Sequence, residues 1–316
     1  MKTIILSLLF SITLVASTIT QPVAQFEVNG AVTDIVYKDH KLYCATDASC
    51  VNVMDIETQK ILQTIKVAQI TDFMGDIIDA KIYSVDVLNE QVLLLSQAEH
   101  GYRKIDIFQA NKLSTVLPTS KKLYVAKAKF LNETTLLLAL LSNDIISYNI
   151  KTQKYNWIVQ ASQSKFSNFV LSEDKSEVVV ADESGNLHIY DTRDGTLLKT
   201  LSGQNLDNVF QVDYKNNIIA TAGQDRRVVV YDLTSDSAYY KISKFLIYSV
   251  GISPNGKIIA YSSDENNNVT LFNTNTKATI GVYGGNKMIP VKILFINDNQ
   301  FFVATDDRVI NSYTVR

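Results

Sequence analysis

Short apolar stretches recur along this chain, each closing on a large or aromatic residue, then a polar residue, then a turn. They end at Val53-Met54-Asp55, Ile107-Phe108-Gln109, Ser147-Tyr148-Asn149, Ile189-Tyr190-Asp191, Val230-Tyr231-Asp232, Leu271-Phe272-Asn273 and Ser312-Tyr313-Thr314. The polar anchors stand at 55, 109, 149, 191, 232, 273 and 314, so the steps are 54, 40, 42, 41, 41 and 41 residues. A period of roughly 40–45 residues that divides into four short strands predicts a β-propeller. The fifth unit shows the division best. Asn208–Tyr214 reads as strand a, Ile218–Ala222 as b, Arg227–Tyr231 as c and Tyr239–Ser243 as d, with Lys215-Asn216-Asn217, Gly223-Gln224-Asp225 and Asp232–Asp236 as the turns. In the sixth unit Ser253-Pro254-Asn255-Gly256 makes the a–b turn, where Pro presets φ and Asn-Gly accepts positive φ.

Seven c strands are present, but the last unit stops at Arg316 without a d strand. The segment Pro22–Val28 precedes the first a strand, Ala31–Tyr37, and is free to supply it. An N-terminal strand completing the last blade closes the ring and removes two exposed sheet edges. The fold expected is therefore all-β, a seven-bladed propeller of four-stranded blades, over residues 18–316.

The first residues differ from this pattern. Lys2 precedes an apolar run from Ile4 to Ala16, and Val15-Ala16-Ser17 places small residues before a cleavage point after Ser17. This is the layout of a secretory signal peptide over residues 1–17 and predicts export, to the periplasm in a bacterium. No other segment is apolar enough to span a membrane, so no span is expected after cleavage. Hydrophobic residues make up 46% of the chain, enough for an extensive core, and no Pro/Gly/Ser-rich linker divides it. The formal charge of −2, or −3 once Lys2 is removed, lacks the basic excess of a nucleic-acid binder and gives an anionic membrane surface no hold.

Candidate chemistry is sparse. Cys44 and Cys50 flank a hairpin turn, and in an oxidising compartment they are a possible disulfide; the alternative is two buried thiols. The three histidines, His40, His100 and His188, are scattered, with no spacing suited to zinc or haem. Asp34, Asp86, Asn168 and Asp213 lie on or beside a strands, where a hydrolytic propeller would gather a cation or carboxylate site, but a wet channel attracts polar residues without catalysis. Gly251-x4-Gly256-Lys257 matches the start of a phosphate loop only superficially, since Ile258 follows the Lys and the segment reads as strand-turn-strand. No cofactor or metal site is expected, and the chain does not read as an enzyme. The rival readings are a lactonase- or hydrolase-type propeller enzyme and a propeller binding a small ligand in its channel.

Ala220-Thr221-Ala222-Gly223-Gln224-Asp225-Arg226-Arg227-Val228-Val229-Val230-Tyr231-Asp232 resembles the b–c half of a WD40 repeat, with Tyr231-Asp232 at the Trp-Asp position. The likeness runs from about residue 22 to the end and is most specific in blades four to six. No Gly-His dipeptide precedes an a strand, and the single Trp, Trp157, falls on a d strand. The polar network that those residues support in the family is thus expected to be missing, leaving stability to the Val/Ile/Leu core. These departures resemble the divergent YVTN-like propellers. In overall build the chain is also similar to the NapL family of accessory proteins encoded with periplasmic nitrate reductases, a resemblance that implies components of such a reductase as partners.

The long first step locates a surplus of residues. Most of it lies between strand d of blade one and strand a of blade two, around Ala68–Asp76; a smaller part is the b–c turn of blade two, Gln97–Arg103. Both connections emerge on one face of a propeller, and insertions in repeat proteins map to loops that often bind. Phe73, Met74, His100, Tyr102 and Arg103 are therefore the candidate partner-binding residues, aromatic residues, Met and Arg being enriched in interfaces. The function expected is that of an exported, monomeric, non-catalytic scaffold or accessory factor.

Overall fold

In a computed structural model, which describes residues 19–316, the chain forms seven four-stranded antiparallel blades. The signal peptide expected at residues 1–17 lies outside the described residues. Strands a to d run Val32–Lys38, Lys41–Thr46, Cys50–Asp55 and Ile61–Lys66 in blade 1; Ile82–Leu88, Gln91–Gln97, Arg103–Gln109 and Lys112–Leu117 in blade 2; and Val125–Asn132, Thr135–Leu140, Asp144–Asn149 and Lys154–Gln160 in blade 3. Blade 4 has Phe166–Leu171, Glu177–Asp182, Leu187–Asp191 and Leu197–Leu201, and blade 5 has Val209–Lys215, Ile218–Gly223, Arg227–Asp232 and Ser237–Ile242. Blade 6 has Val250–Ile252, Ile258–Ser262, Val269–Asn273 and Thr279–Tyr283. Blade 7 has Pro290–Asn297, Gln300–Thr305 and Val309–Thr314, and takes its d strand, Ala24–Glu27, from the other end of the chain. That strand pairs Ala24 with Ser312 and Glu27 with Val309. Just before it, Thr20 bridges to Tyr283 on blade 6, so the N-terminal segment stitches blades 6 and 7 together.

All seven polar anchors are the last residues of their c strands. Most are Asx turns. The Asn149 Oδ1 accepts the Lys151 and Thr152 N–H groups, and the Asn273 Oδ1 accepts those of Asn275 and Thr276. A short polar side chain that caps its own turn ends the strand at a fixed place, which is why the period is so regular.

The core is divided into seven layers, each between two neighbouring blades. Leu93, Ile105, Phe130 and Tyr148 fill the gap between blades 2 and 3, and Phe26, Cys44, Met54 and Phe302 that between blades 7 and 1. The b strands are buried on both faces while the d strands are mostly exposed, so burial falls outward along each blade. At the centre, Gly251 of the short a strand of blade 6 lies against blade 7: a Cβ there would stand 2.7 Å from the Ile293 carbonyl oxygen. Close approach of two blades explains this glycine, and the turn conformation of Gly256 (φ +72°) explains the other one in the apparent phosphate-loop motif.

Of the two readings of Cys44 and Cys50, a disulfide or two buried thiols, the structure has the second. Cys44 stands opposite Asn52, and Cys50 lies two positions further along the partner strand, beside Thr46. The two thiols share a face but are diagonal neighbours, at about 7–8 Å, beyond the usual disulfide range. Both are buried and free, and burial pushes the Cys44 thiol above its ordinary pKa.

A polar network built from other residues than His and Trp is present. Asn residues on the d–a connections take part: Asn29 N–H donates to Asn52 Oδ1 (3.0 Å) in blade 1. Asn205 accepts from Thr221 Oγ1 (2.7 Å) and donates to the Tyr231 hydroxyl in blade 5. In blade 7, Asn286 Oδ1 accepts from Asn311 Nδ2 (2.7 Å) and from the Tyr313 hydroxyl (3.0 Å). Each ties a connection to its own blade, satisfying groups that burial would otherwise leave unpaired.

Candidate functional site

The d–a connections and b–c turns share one face of the ring. The surplus of blade 2 lies there, as expected, but it has structure of its own. Ile70–Thr71 and Ile77–Ile78 pair as a two-stranded ribbon. At its tip the Asp72 carboxylate accepts the backbone N–H groups of Met74 (2.8 Å) and Asp76 (2.9 Å), and Gly75 takes positive φ (+92°). This turn holds Phe73 and Met74 outward, 97% and 74% exposed. The base is fixed to blade 1: the Ser49 hydroxyl donates to Asp79 Oδ1 (3.0 Å) and accepts the Ala80 N–H (2.7 Å).

The second insertion folds as a 3₁₀ turn, Glu99–Gly101, closed by Ala98 N–H to Tyr102 O. The two insertions meet. A cleft of about 390 Å³ opens between residues 68–70, the turn at 98–104 and the next d–a connection at 119–122, with exposed His100 and half-buried Tyr102 in its wall. Tyr102 packs on Tyr124 with ring centroids 5.3 Å apart. Phe73 and Met74 project beside this cleft and do not line it.

Arg103 departs from the expectation of an exposed interface residue. Its guanidinium lies 3.9 Å over the Tyr83 ring, and Nη1 donates to the carbonyls of Gly101 (2.6 Å) and Tyr102 (3.3 Å). It is half-buried and braces its own turn. Of the other histidines, His40 is exposed in the a–b turn of blade 1, and His188 sits on strand c of blade 4 near Thr200.

Beyond the insertions, sequence reasoning missed how apolar this face is. Among the described residues, every large apolar side chain exposed in a connection between strands sits here, including Tyr124, Leu141, Leu206, Met288 and Ile289. The a–b and c–d turns of the opposite face carry Asp, Asn, Lys and Ser instead. The signal was present in the sequence, but only a map of turns to faces reveals it.

The channel opens at the centre of this face. Six of the seven a strands carry a β-bulge at the same level, and the residues that follow it are Asp34, Ser84, Lys127, Asn168, Gln211 and Lys292. A bulge re-aims side chains, and these six line a recess of about 230 Å³. One level deeper lie Asp86, Lys129 and Asp213. The a strands are inner edge strands with unpaired backbone groups, and the channel side chains satisfy them across blades. Asp34, Asp86 and Asp213 accept the N–H groups of Val85 (3.3 Å), Phe130 (2.7 Å) and Ile252 (2.8 Å), while Lys127 and Lys129 donate to the carbonyls of Phe169 (2.7 Å) and Val85 (2.6 Å). Gln211 donates to the Val291 carbonyl. Burial pushes the Asp34 carboxyl up, but Lys129, Lys292, Lys127 and the Val85 N–H outweigh it and hold the pKa at about 2. No group of three or more His, Cys, Asp or Glu side chains suited to a metal ion occurs among the described residues.

Taken together, fold and face define a seven-bladed β-propeller with a single apolar loop face around a polar, cross-linked channel. Compared with known proteins, the chain matches no family model and no curated protein. No helix among the described residues is long and apolar enough to cross a membrane.

Proposed function

We propose that this chain is an exported, non-catalytic propeller that docks a protein partner on its d–a/b–c face, as a scaffold or accessory factor. The observation that carries the reading is the ribbon tip, where Asp72 and Gly75 hold two large, exposed apolar side chains on an anchored base. The turn backbone is already ordered, so docking has only the two side chains to immobilise, and buried apolar anchors supply most of the energy of an interface. The non-catalytic reading is supported by the engagement of Asp34, Asp86 and Asp213 as clamps between blades. The finer kinship belongs to the same proposal. The Tyr231-Asp232 turn speaks for a divergent WD40/YVTN-like propeller, and the overall build for the NapL type, with components of a periplasmic nitrate reductase as partners.

The test is a pull-down from the exported fraction of the native cell, comparing wild type with a Phe73→Ala, Met74→Ala double variant. Wild type is expected to retain a stable partner and the variant to lose it, with an interface cost of about 2–4 kcal/mol. A variant that retains the partner, or a wild type that captures nothing, overturns the reading.

A further inference from the structure

We propose that the mouth of the central channel is a binding site for a small oxyanion, held by Lys127, Lys292 and the side-chain amide of Asn168. The recess of about 230 Å³ is lined by these residues together with Asp34, Gln211 and the hydroxyls of Thr33, Ser84 and Ser167. Its volume suits an anion of a few heavy atoms with its waters.

At the level of the bulge one carboxylate, Asp34, faces two ammonium groups, Lys127 and Lys292, while one level deeper Asp86 and Asp213 face Lys129. Asp34 is the carboxylate at this level, and it is already shared by two ammonium groups, Lys129 at 3.2 Å and Lys292 at 3.6 Å. The carboxylates one level deeper, Asp86 and Asp213, each hold a backbone N–H of the next blade. Lys127 feels Asp34 and Asp213 only at a distance. Its Nζ donates to two neutral oxygens, Asn168 Oδ1 (2.9 Å) and Phe169 O (2.7 Å), and among the described residues no carboxylate lies within ion-pair distance. One of its three protons is thus unspent, as is the Nδ2 group of Asn168 among the described residues. Burial, with Lys292 and Lys129 nearby, holds the Lys127 ammonium well below the ordinary lysine range.

An ammonium drawn out of bulk water with no carboxylate in contact is costly, and an oxyanion in the recess relieves that cost while accepting the free donors. The position on the loop face leaves the recess open to solvent, so a small ion can enter without the ring opening. None of the recess residues lies on the ribbon that carries Phe73 and Met74, so anion binding and protein docking are separable.

The experiment is thermal unfolding of the full chain at pH 7 in acetate, succinate or inorganic phosphate, with chloride at equal ionic strength as reference. At least one oxyanion is expected to raise the midpoint saturably beyond chloride, since a ligand bound to the native state stabilises it. Lys127→Gln is expected to weaken that oxyanion about tenfold, the equivalent of one charge-assisted hydrogen bond. Lys292→Gln, at a more exposed position, keeps the fold and weakens it about threefold to tenfold. Phe73→Ala, Met74→Ala binds the anion as wild type does. Midpoint shifts no larger than those of chloride, or equal affinity in the wild type and both lysine variants, overturn the proposal.

Discussion

At the residue scale, short polar side chains do two different jobs. The anchors that end the c strands cap turns two or three residues away, as Asn273 does for Asn275 and Thr276. Such contacts are local, and they made the repeat legible in the sequence. The buried Asn network acts over longer stretches: Asn286 and Asn311 are separated by 25 positions, and no spacing rule announces the pair. Asn286→Ala removes one acceptor of Asn311 and Tyr313, which keep the carbonyls of Gly285 and Gly284, so a loss of about 1–2 kcal/mol is expected in urea unfolding. Asp34 gives a pH signature. Its folded pKa of about 2 lies below the ordinary 3.8, so its contribution to stability is present above pH 4 and fades as pH falls through about 2. The amount is about 2 kcal/mol. In Asp34→Asn that part of the acid loss disappears from unfolding curves taken between pH 2 and pH 5, and stability at neutral pH falls because Lys129 loses its partner. A wild-type acid slope reproduced in Asp34→Asn would refute this assignment.

At the element scale, strand order and blade count followed from turn chemistry, and the predicted bounds were close. The closing strand, expected within Pro22–Val28, occupies Ala24–Glu27, and strand b of blade 5, expected at Ile218–Ala222, ends at Gly223. Two features escaped sequence reasoning for the same physical cause, that they depend on neighbouring blades rather than on their own. One is the short a strand of blade 6, where Gly251 must yield to Ile293. The other is the bulge repeated at the channel mouth, which sets which side chains point inward. Whether Cys44 and Cys50 bond turned on register, since two positions along a strand separate facing thiols from diagonal ones. Phe26 on the closing strand packs edge-on against Phe302, with centroids 5.4 Å apart, and is fully buried. Phe26→Ala is expected to cost about 3–5 kcal/mol. Hydrogen exchange should then speed first in Val309–Thr314, the partner of that strand; uniform acceleration around the ring would argue against a local closure.

At the scale of the whole molecule, the division of labour is between faces. Seven apolar layers between the blades hold the ring, and the loop face is free to vary without disturbing them. The Phe73→Ala, Met74→Ala variant should therefore unfold within about 0.5 kcal/mol of wild type, which separates lost docking from lost folding. The two insertions were legible from the irregular first step in the repeat, and their meeting at one cleft followed from propeller topology. That Arg103 turns inward onto Tyr83 was not, because its stacking partner lies on the a strand of the same blade, twenty residues upstream. The channel clamps were hidden for a related reason: each contact joins different blades, and a repeat read one unit at a time does not contain them.

The shared last blade also bears on how the molecule is made. Gln25 and Asn311, which bond within it, are 286 positions apart, and closing a loop of that length costs about 5 kcal/mol in chain entropy. A chain synthesised from its N-terminus holds the outer strand of blade 7 idle until Val309–Thr314 has emerged. Until then the layers that blade 7 shares with blades 6 and 1 are incomplete, and the apolar faces left open are where such a chain is most prone to associate with a second copy.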